Sequence, residues 1–128
     1  VVEGVKNGTY AIAMPADVPL QQVAVADIGK FGAHVVSNRE AFLGKRIDIA
    51  GDELTAAQTA EILAELQGRP VTHVEVPIAQ IRAWMEDLAL MYEWFVSTGY
   101  SVDVEALRRE VPEVGWQRFS DWAAASLK

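Results

Sequence analysis

The hydrophobic pattern of residues 44–77, GKRIDIAGDELTAAQTAEILAELQGRPVTHVEVP, predicts a strand, a capped helix and a second strand. Ile47, Ile49 and Ala50 form a short apolar run that stops at Gly51-Asp52. Thr55 and Gln58 then stand at capping-box spacing: the threonine hydroxyl can accept from the backbone N–H three residues on, and the glutamine can reach back. Ala56, Ala60, Leu63 and Leu66 recur at helical spacing, with Gln58, Glu61 and Glu65 on the wet side. Gly68 can take the left-handed conformation that ends a helix, and Arg69-Pro70 blocks continuation. Val71, Val74 and Val76 supply β-branched residues for the second strand. Taken alone, the unit predicts two adjacent parallel strands with a right-handed crossover.

Ahead of it, Tyr10, Ile12 and Met14 alternate with Thr9, Ala11 and Ala13, which predicts a strand over residues 9–14. Val23 and Val25 mark another within residues 20–26. Asp27 suits the N-cap of a helix over residues 28–36, since its carboxylate can accept orphan N–H bonds and oppose the helix dipole. Ile28, Phe31, Ala33, Val35 and Val36 cover most of that helix's circumference, which predicts a well-buried element. Ser37-Asn38-Arg39 reads as a turn.

After Pro77, Ile78, Ile81, Trp84, Met85, Leu88, Met91, Tyr92 and Phe95 recur every three or four residues and predict one helix over residues 78–97. Ala89, Leu90, Trp94 and Val96 widen the stripe beyond one core contact. Trp84, Met91, Tyr92, Trp94 and Phe95 are therefore the candidate substrate-binding or interface residues. Such a stripe serves equally as core, as an apolar pocket wall or as a contact with another chain. Residues 100–102 read as extended or irregular, and Asp103 as the cap of a short helix over residues 104–109. A turn at 112–115 precedes a final helix over 116–127, with Phe119, Trp122, Ala123 and Ser126 on one side.

Composition narrows the class. At 128 residues the chain has the length of one domain, and 51% hydrophobic with 23% charged residues is a globular composition. No apolar run approaches the ~18 residues that a spanning helix requires, so no membrane partner is expected. The absence of cysteine excludes disulfide and thiolate chemistry and fits a reducing compartment; a cytoplasmic location is expected. A formal charge of −7 argues against direct binding to nucleic acid. The chain opens on Val1, with no targeting segment, and reads as part of something longer.

The search for chemistry assigns no catalytic, cofactor-binding or metal-binding residue. Gly29 and Gly32 lack the G-x-G-x-x-G spacing needed for pyrophosphate approach and read as helix-packing positions. The fourth residues after Tyr10, Tyr92 and Tyr100 are Met14, Val96 and Val104, so no Tyr-x-x-x-Lys pair is present. His34 and His73 have no partner at ligand spacing. Glu86-Asp87 reads as a solvated helix face rather than an acid–base pair.

The order VAVADIG, LGKRIDIAGDELTAAQTAEIL, GRPVTHVEVP, EDLALMYEWF and FSDW resembles the C-terminal part of an NmrA-like protein, from about Thr9 to Trp122. That family belongs to the atypical, extended short-chain dehydrogenase/reductases. The resemblance implies an α/β (or α+β) fold with a small sheet and four to five helices, a single domain over residues 1–128. It implies that an N-terminal Rossmann half, which holds NAD(P) through a glycine-rich loop, is missing from this sequence. What remains would be the region that walls the cleft over the nicotinamide, without supplying catalytic groups. In the family, the strand matching residues 45–50 joins the Rossmann sheet, and the one matching 71–76 lies in a small separate sheet near that matching 23–25. Ile47 and Ile49 are then expected on an unprotected strand edge.

Two groups of relatives lead to different functions. One is of NAD(P)H-dependent reductases, with a small apolar substrate such as a quinone, an aldehyde or a phenylpropanoid. The other is of non-catalytic redox-sensing regulators that bind the dinucleotide and a protein partner. A third reading makes the chain a stand-alone interaction or dimerisation module. The partners implied are the missing Rossmann half or a second copy of this chain. This chain alone is expected to bind no cofactor.

Overall fold

The computed structural model describes residues 2–127. A short helix, α1 (Val2–Lys6), leads into strand β1 (Thr9–Ile12), followed by β2 (Pro19–Gln22) and helix α2 (Val25–Ser37). The short α3 (Arg39–Phe42) and an irregular stretch precede β3 (Asp52–Thr55), α4 (Ala56–Gln67) and β4 (Thr72–Glu75). The rest is helical: α5 (Ile78–Arg82), α6 (Glu86–Ser97), α7 (Val104–Glu110), a 3-10 turn (Pro112–Val114) and α8 (Phe119–Ser126). The fold is mixed α/β. Its strands form two pairs: β1 lies parallel to β4, with Tyr10 opposite His73, and β2 lies antiparallel to β3, with Leu20 opposite Leu54.

The start of α4 is the clearest case of sequence making structure. Thr55 Oγ1 accepts from the Gln58 N–H at 3.2 Å, and Gln58 Oε1 accepts from the Thr55 N–H at 2.9 Å. The helix buries Ala56, Ala60 and Leu63 against Tyr10 and Met14, and ends at Gly68 with φ of 65°. Leu66, at the far end of the stripe, stays exposed. A second apolar cluster gathers Leu107, Val111, Val114 and Trp116, and a third Ala13, Ile81 and Ala89. Asp103 caps α7 by accepting from the Ala106 N–H at 2.8 Å.

Several expectations are corrected. Residues 45–50 form no strand; the strand begins at Asp52, after the glycine. Arg46 and Asp48 reach only each other, Ile47 is exposed and only Ala50 is fully buried. The strand placed at Val23 and Val25 lies earlier, at Pro19–Gln22, and its inward residue is Gln21, not a valine. Gln21 is buried because its amide donates to Val102 O at 2.7 Å and to Glu53 at 2.9 Å, while its oxygen accepts from Val102 N–H at 3.0 Å. The two strands flanking α4 are not neighbours. β4 pairs with β1, β3 pairs with β2, and the sheet of residues 72–75 is not the one beside Val23.

The long helix over residues 78–97 is two helices, broken at residues 83–85, where Met85 is extended with φ of −156°. The corner lets Ile81 and Ala89 pack together in one cluster, and Arg82 spans it to pair with both Glu86 and Glu93. With α1 and α3 added, the described residues contain eight α-helices rather than four or five, though only four of them reach eight residues. The helix after β2 starts at Val25, so Asp27 sits inside its first turn instead of capping it. That helix is largely exposed, with Val25 at 82%, Val36 at 79% and Ile28 at 46%. Gly29 and Gly32 are not packing positions either: a Cβ at either would meet nothing within 4 Å. Trp116 lies ahead of α8, not in it, and is buried with its indole N–H donating to Val111 O at 3.0 Å.

Candidate functional site

The end of β2, the start of α2, the Gly51-Asp52 turn and residues 116–119 meet at one junction. Gly51 N–H donates to Gln22 O at 2.7 Å. A Cβ on Gly51 would stand 2.9 Å from Gln117 O, so only glycine lets the two backbones pass. Two aspartates then fasten the incoming segment. Asp27 accepts from Gln117 N–H at 2.7 Å, Gln117 Nε2 at 3.1 Å and Lys30 Nζ at 3.1 Å. Asp52 accepts from Phe119 N–H at 2.8 Å. Arg108 donates to Trp116 O at 2.7 Å and to Gly51 O, and Arg118 pairs with Glu105 at 3.0 Å.

Asp27 is fully buried. Burial alone would raise its pKa, but the Gln117 N–H, the Lys30 ammonium and the Gln117 amide outweigh it and hold the carboxyl below its ordinary range. It stays charged at neutral pH and acts as a tie for the loop, not as a proton donor.

Over this junction lies an open groove of about 160 Å³, walled by Val23, Val25, Phe119 and Trp122, with Gln22, Asp52, Gln117 and Arg118 as polar lining. The Phe119 and Trp122 rings stand 5.7 Å apart, tilted by 40°. Asp52 and Gln117 are committed to internal hydrogen bonds and Arg118 is paired with Asp52 and Glu105, while Val23, Val25, Phe119 and Trp122 form the apolar wall. A second open cleft, of about 270 Å³, lies between the ends of β1 and β4 and helix α6, with Tyr92 and Val96 on one side and Val76 and Ile78 on the other.

The five residues singled out from the sequence do not form one site. Trp84 (63% exposed), Met91 and Trp94 face solvent, while Tyr92 and Phe95 pack against the first apolar cluster. Trp94 and Phe95 join Tyr100 in an aromatic group with centroids 5.0–5.9 Å apart. Of the five, Tyr92 lines one of the two clefts described above. The residues that sequence reasoning missed are Asp27 as a long-range tie, Asp52, Gln117 and the Phe119–Trp122 wall. A signal for them existed: VAVADIG, the Gly51-Asp52 turn and FSDW each contribute to the same groove. Of the two histidines, His34 meets the Phe42 edge, and His73 is stacked obliquely near Tyr10 with Nε2 buried and unpartnered. Among the described residues no three potential ligands cluster as a metal site, and no helix is long and apolar enough to cross a membrane.

The NmrA-like family matches this chain over residues 2–124, and the chain belongs to that family. No curated protein matches it in sequence. The family is one of NAD(P)-binding proteins, which poses the question of where a dinucleotide would sit. The strand-to-helix turns described here do not fit one. β2 passes to α2 through Val23-Ala24, β3 runs directly into α4 at the Thr55 cap, and β4 meets α5 through Val76-Pro77. None carries a glycine on which a pyrophosphate could approach the backbone. The start of α2 also carries the buried Asp27 carboxylate, which would repel a phosphate.

Proposed function

We propose that this chain is the C-terminal, substrate-binding portion of an NmrA-like protein of the atypical, extended short-chain dehydrogenase/reductase type. It walls a cleft over a nicotinamide held by a Rossmann half and supplies no catalytic group; the whole is an NAD(P)H-dependent reductase of small apolar carbonyl compounds. The observation that carries this is the Phe119–Trp122 groove: an apolar wall above the hydrogen bonds by which Asp27 and Asp52 fasten the loop beneath it. At about 160 Å³ and open to one side, it is smaller than the roughly 300–1,000 Å³ of sites that enclose a ligand, as expected of one wall awaiting another. An amide-resolved NMR titration of the chain with 4-phenyl-2-butanone tests it. Saturable shifts at Val23, Val25, Phe119 and the Trp122 indole, weakened by Trp122→Ala, are expected. Shifts confined to α6, or none, would overturn the assignment.

A second reading rests on a different observation. Trp84, Leu90, Met91, Trp94 and Val96 leave apolar surface exposed along α5–α6, and Val25, Ile28 and Val36 do so on α2. Large apolar side chains left exposed on helices in this way are a mark of contact sites. On this reading the protein is a non-catalytic redox-sensing regulator that uses these faces for a protein partner, or the chain is a module that pairs with a second copy. A Tyr-x-x-x-Lys pair in the Rossmann half favours the reductase; its absence favours the regulator.

A further inference from the structure

The Tyr92 cleft is separate from the Phe119–Trp122 groove, and its chemistry stands whether or not that groove holds a substrate. Its walls are apolar: Ala13 is buried, Val76 and Ile78 pack into the third apolar cluster, and Val96 sits half-exposed. Two carboxylates, Glu75 and Glu93, also line it, and no lysine or arginine does. Glu93 is paired with Arg82, which it shares with Glu86. Glu75, exposed at the end of β4, makes no ion pair among the described residues.

Tyr92 offers both an aromatic face and a hydroxyl. Burial pushes its pKa up, so the hydroxyl stays neutral and Tyr92 brings no charge of its own to the cleft. A cation set against an aromatic ring and a free carboxylate gains from both. A ligand carboxylate or phosphate would instead face Glu75 with no compensating cation in the cleft. The formal charge of −7 on the whole chain raises the local concentration of cations and lowers that of anions.

We propose that this cleft binds a small primary ammonium carried on an apolar, ring-sized body: an arylalkylamine. The ring lies between Val76, Ile78 and Val96, and the ammonium lies between the Tyr92 ring and the Glu75 carboxylate. A length series of similar shape and different charge tests this in NMR titrations of the labelled chain: 2-phenylethylamine, 2-phenylethanol and 3-phenylpropionate. The amine is expected to shift the Val76, Tyr92 and Val96 amides saturably, the alcohol to bind about fivefold more weakly, and the acid not to bind. Glu75→Gln should weaken the amine about fivefold while leaving the alcohol unchanged. Glu65→Gln, on the exposed side of α4, should change neither. Equal binding of amine and alcohol, indifference to Glu75→Gln, or an absence of saturable shifts at these three residues would overturn the proposal. Because the wild-type ligand series needs no variant, a folding defect in Glu75→Gln cannot hide the answer. The cross-peaks read are also distinct from those of the Phe119–Trp122 groove.

Discussion

At the scale of single residues, Asp27 shows how a correct residue can be given the wrong task. Its carboxylate accepts backbone N–H bonds, as a capping residue would, but from Gln117, ninety residues away, and not from its own helix. Sequence spacing carries no trace of such a bond. Asp27→Asn removes a buried charge from three donors and should cost about 1–3 kcal/mol, read as a lower urea midpoint. The sign with pH follows from its lowered folded-state pKa. The contribution is complete above the unfolded value of about 4, and is lost as pH falls through the folded one. Acid unfolding of Asp27→Asn should therefore be less steep in that window. Parallel wild-type and variant curves would show that Asp27 is not the tie described. Gln21 was hidden for a related reason: a buried glutamine with all its bonds satisfied looks, in the sequence, like a surface residue.

At the scale of elements, local signals were legible where local contacts decide. The Thr55–Gln58 box, the Gly68 stop and the Asp103 cap each involve residues within a few positions of one another, and each is found where the sequence placed it. Thr55→Ala should cost about 1 kcal/mol, whereas Glu65→Ala on the exposed face should cost little. Equal thermal midpoints for Thr55→Ala and the parent would mean that the cap holds nothing. Breaks and pairings were less legible. Nothing in Ala83-Trp84-Met85 forbids a helix, and the packing of Ile81 with Ala89 that the corner allows is not visible in the spacing. Glu86-Asp87 was the available sign, since acidic residues favour the first turn of a helix. Ile47 and Ile49 have the residues of a strand but no partner strand among the described residues, and alternation alone does not make a ladder.

At the scale of the whole molecule, the family was readable because several loose motifs occur in one order over nearly the whole chain, and the match over residues 2–124 bears that out. The groove was not readable, because its walls come from segments about ninety residues apart that only the fold brings together. On the second reading proposed above, the exposed apolar faces of α2 and α6 are contact surfaces. Light scattering should therefore give a mass above one chain, or a mass that rises with concentration, and Trp84→Ala with Trp94→Ala should lower it. A concentration-independent mass of one chain, with no uptake of a hydrophobic dye, would mean that these faces are tolerated bare.

The central claim is that this chain walls a cleft and leaves the dinucleotide to another part of the protein. Calorimetric titration of the chain with NADPH, and then NADH, tests it most directly. The account expects no saturable heat with either dinucleotide, because no strand-to-helix turn described here offers a glycine and the start of α2 carries Asp27. A dissociation constant in the low micromolar range for either one would contradict it.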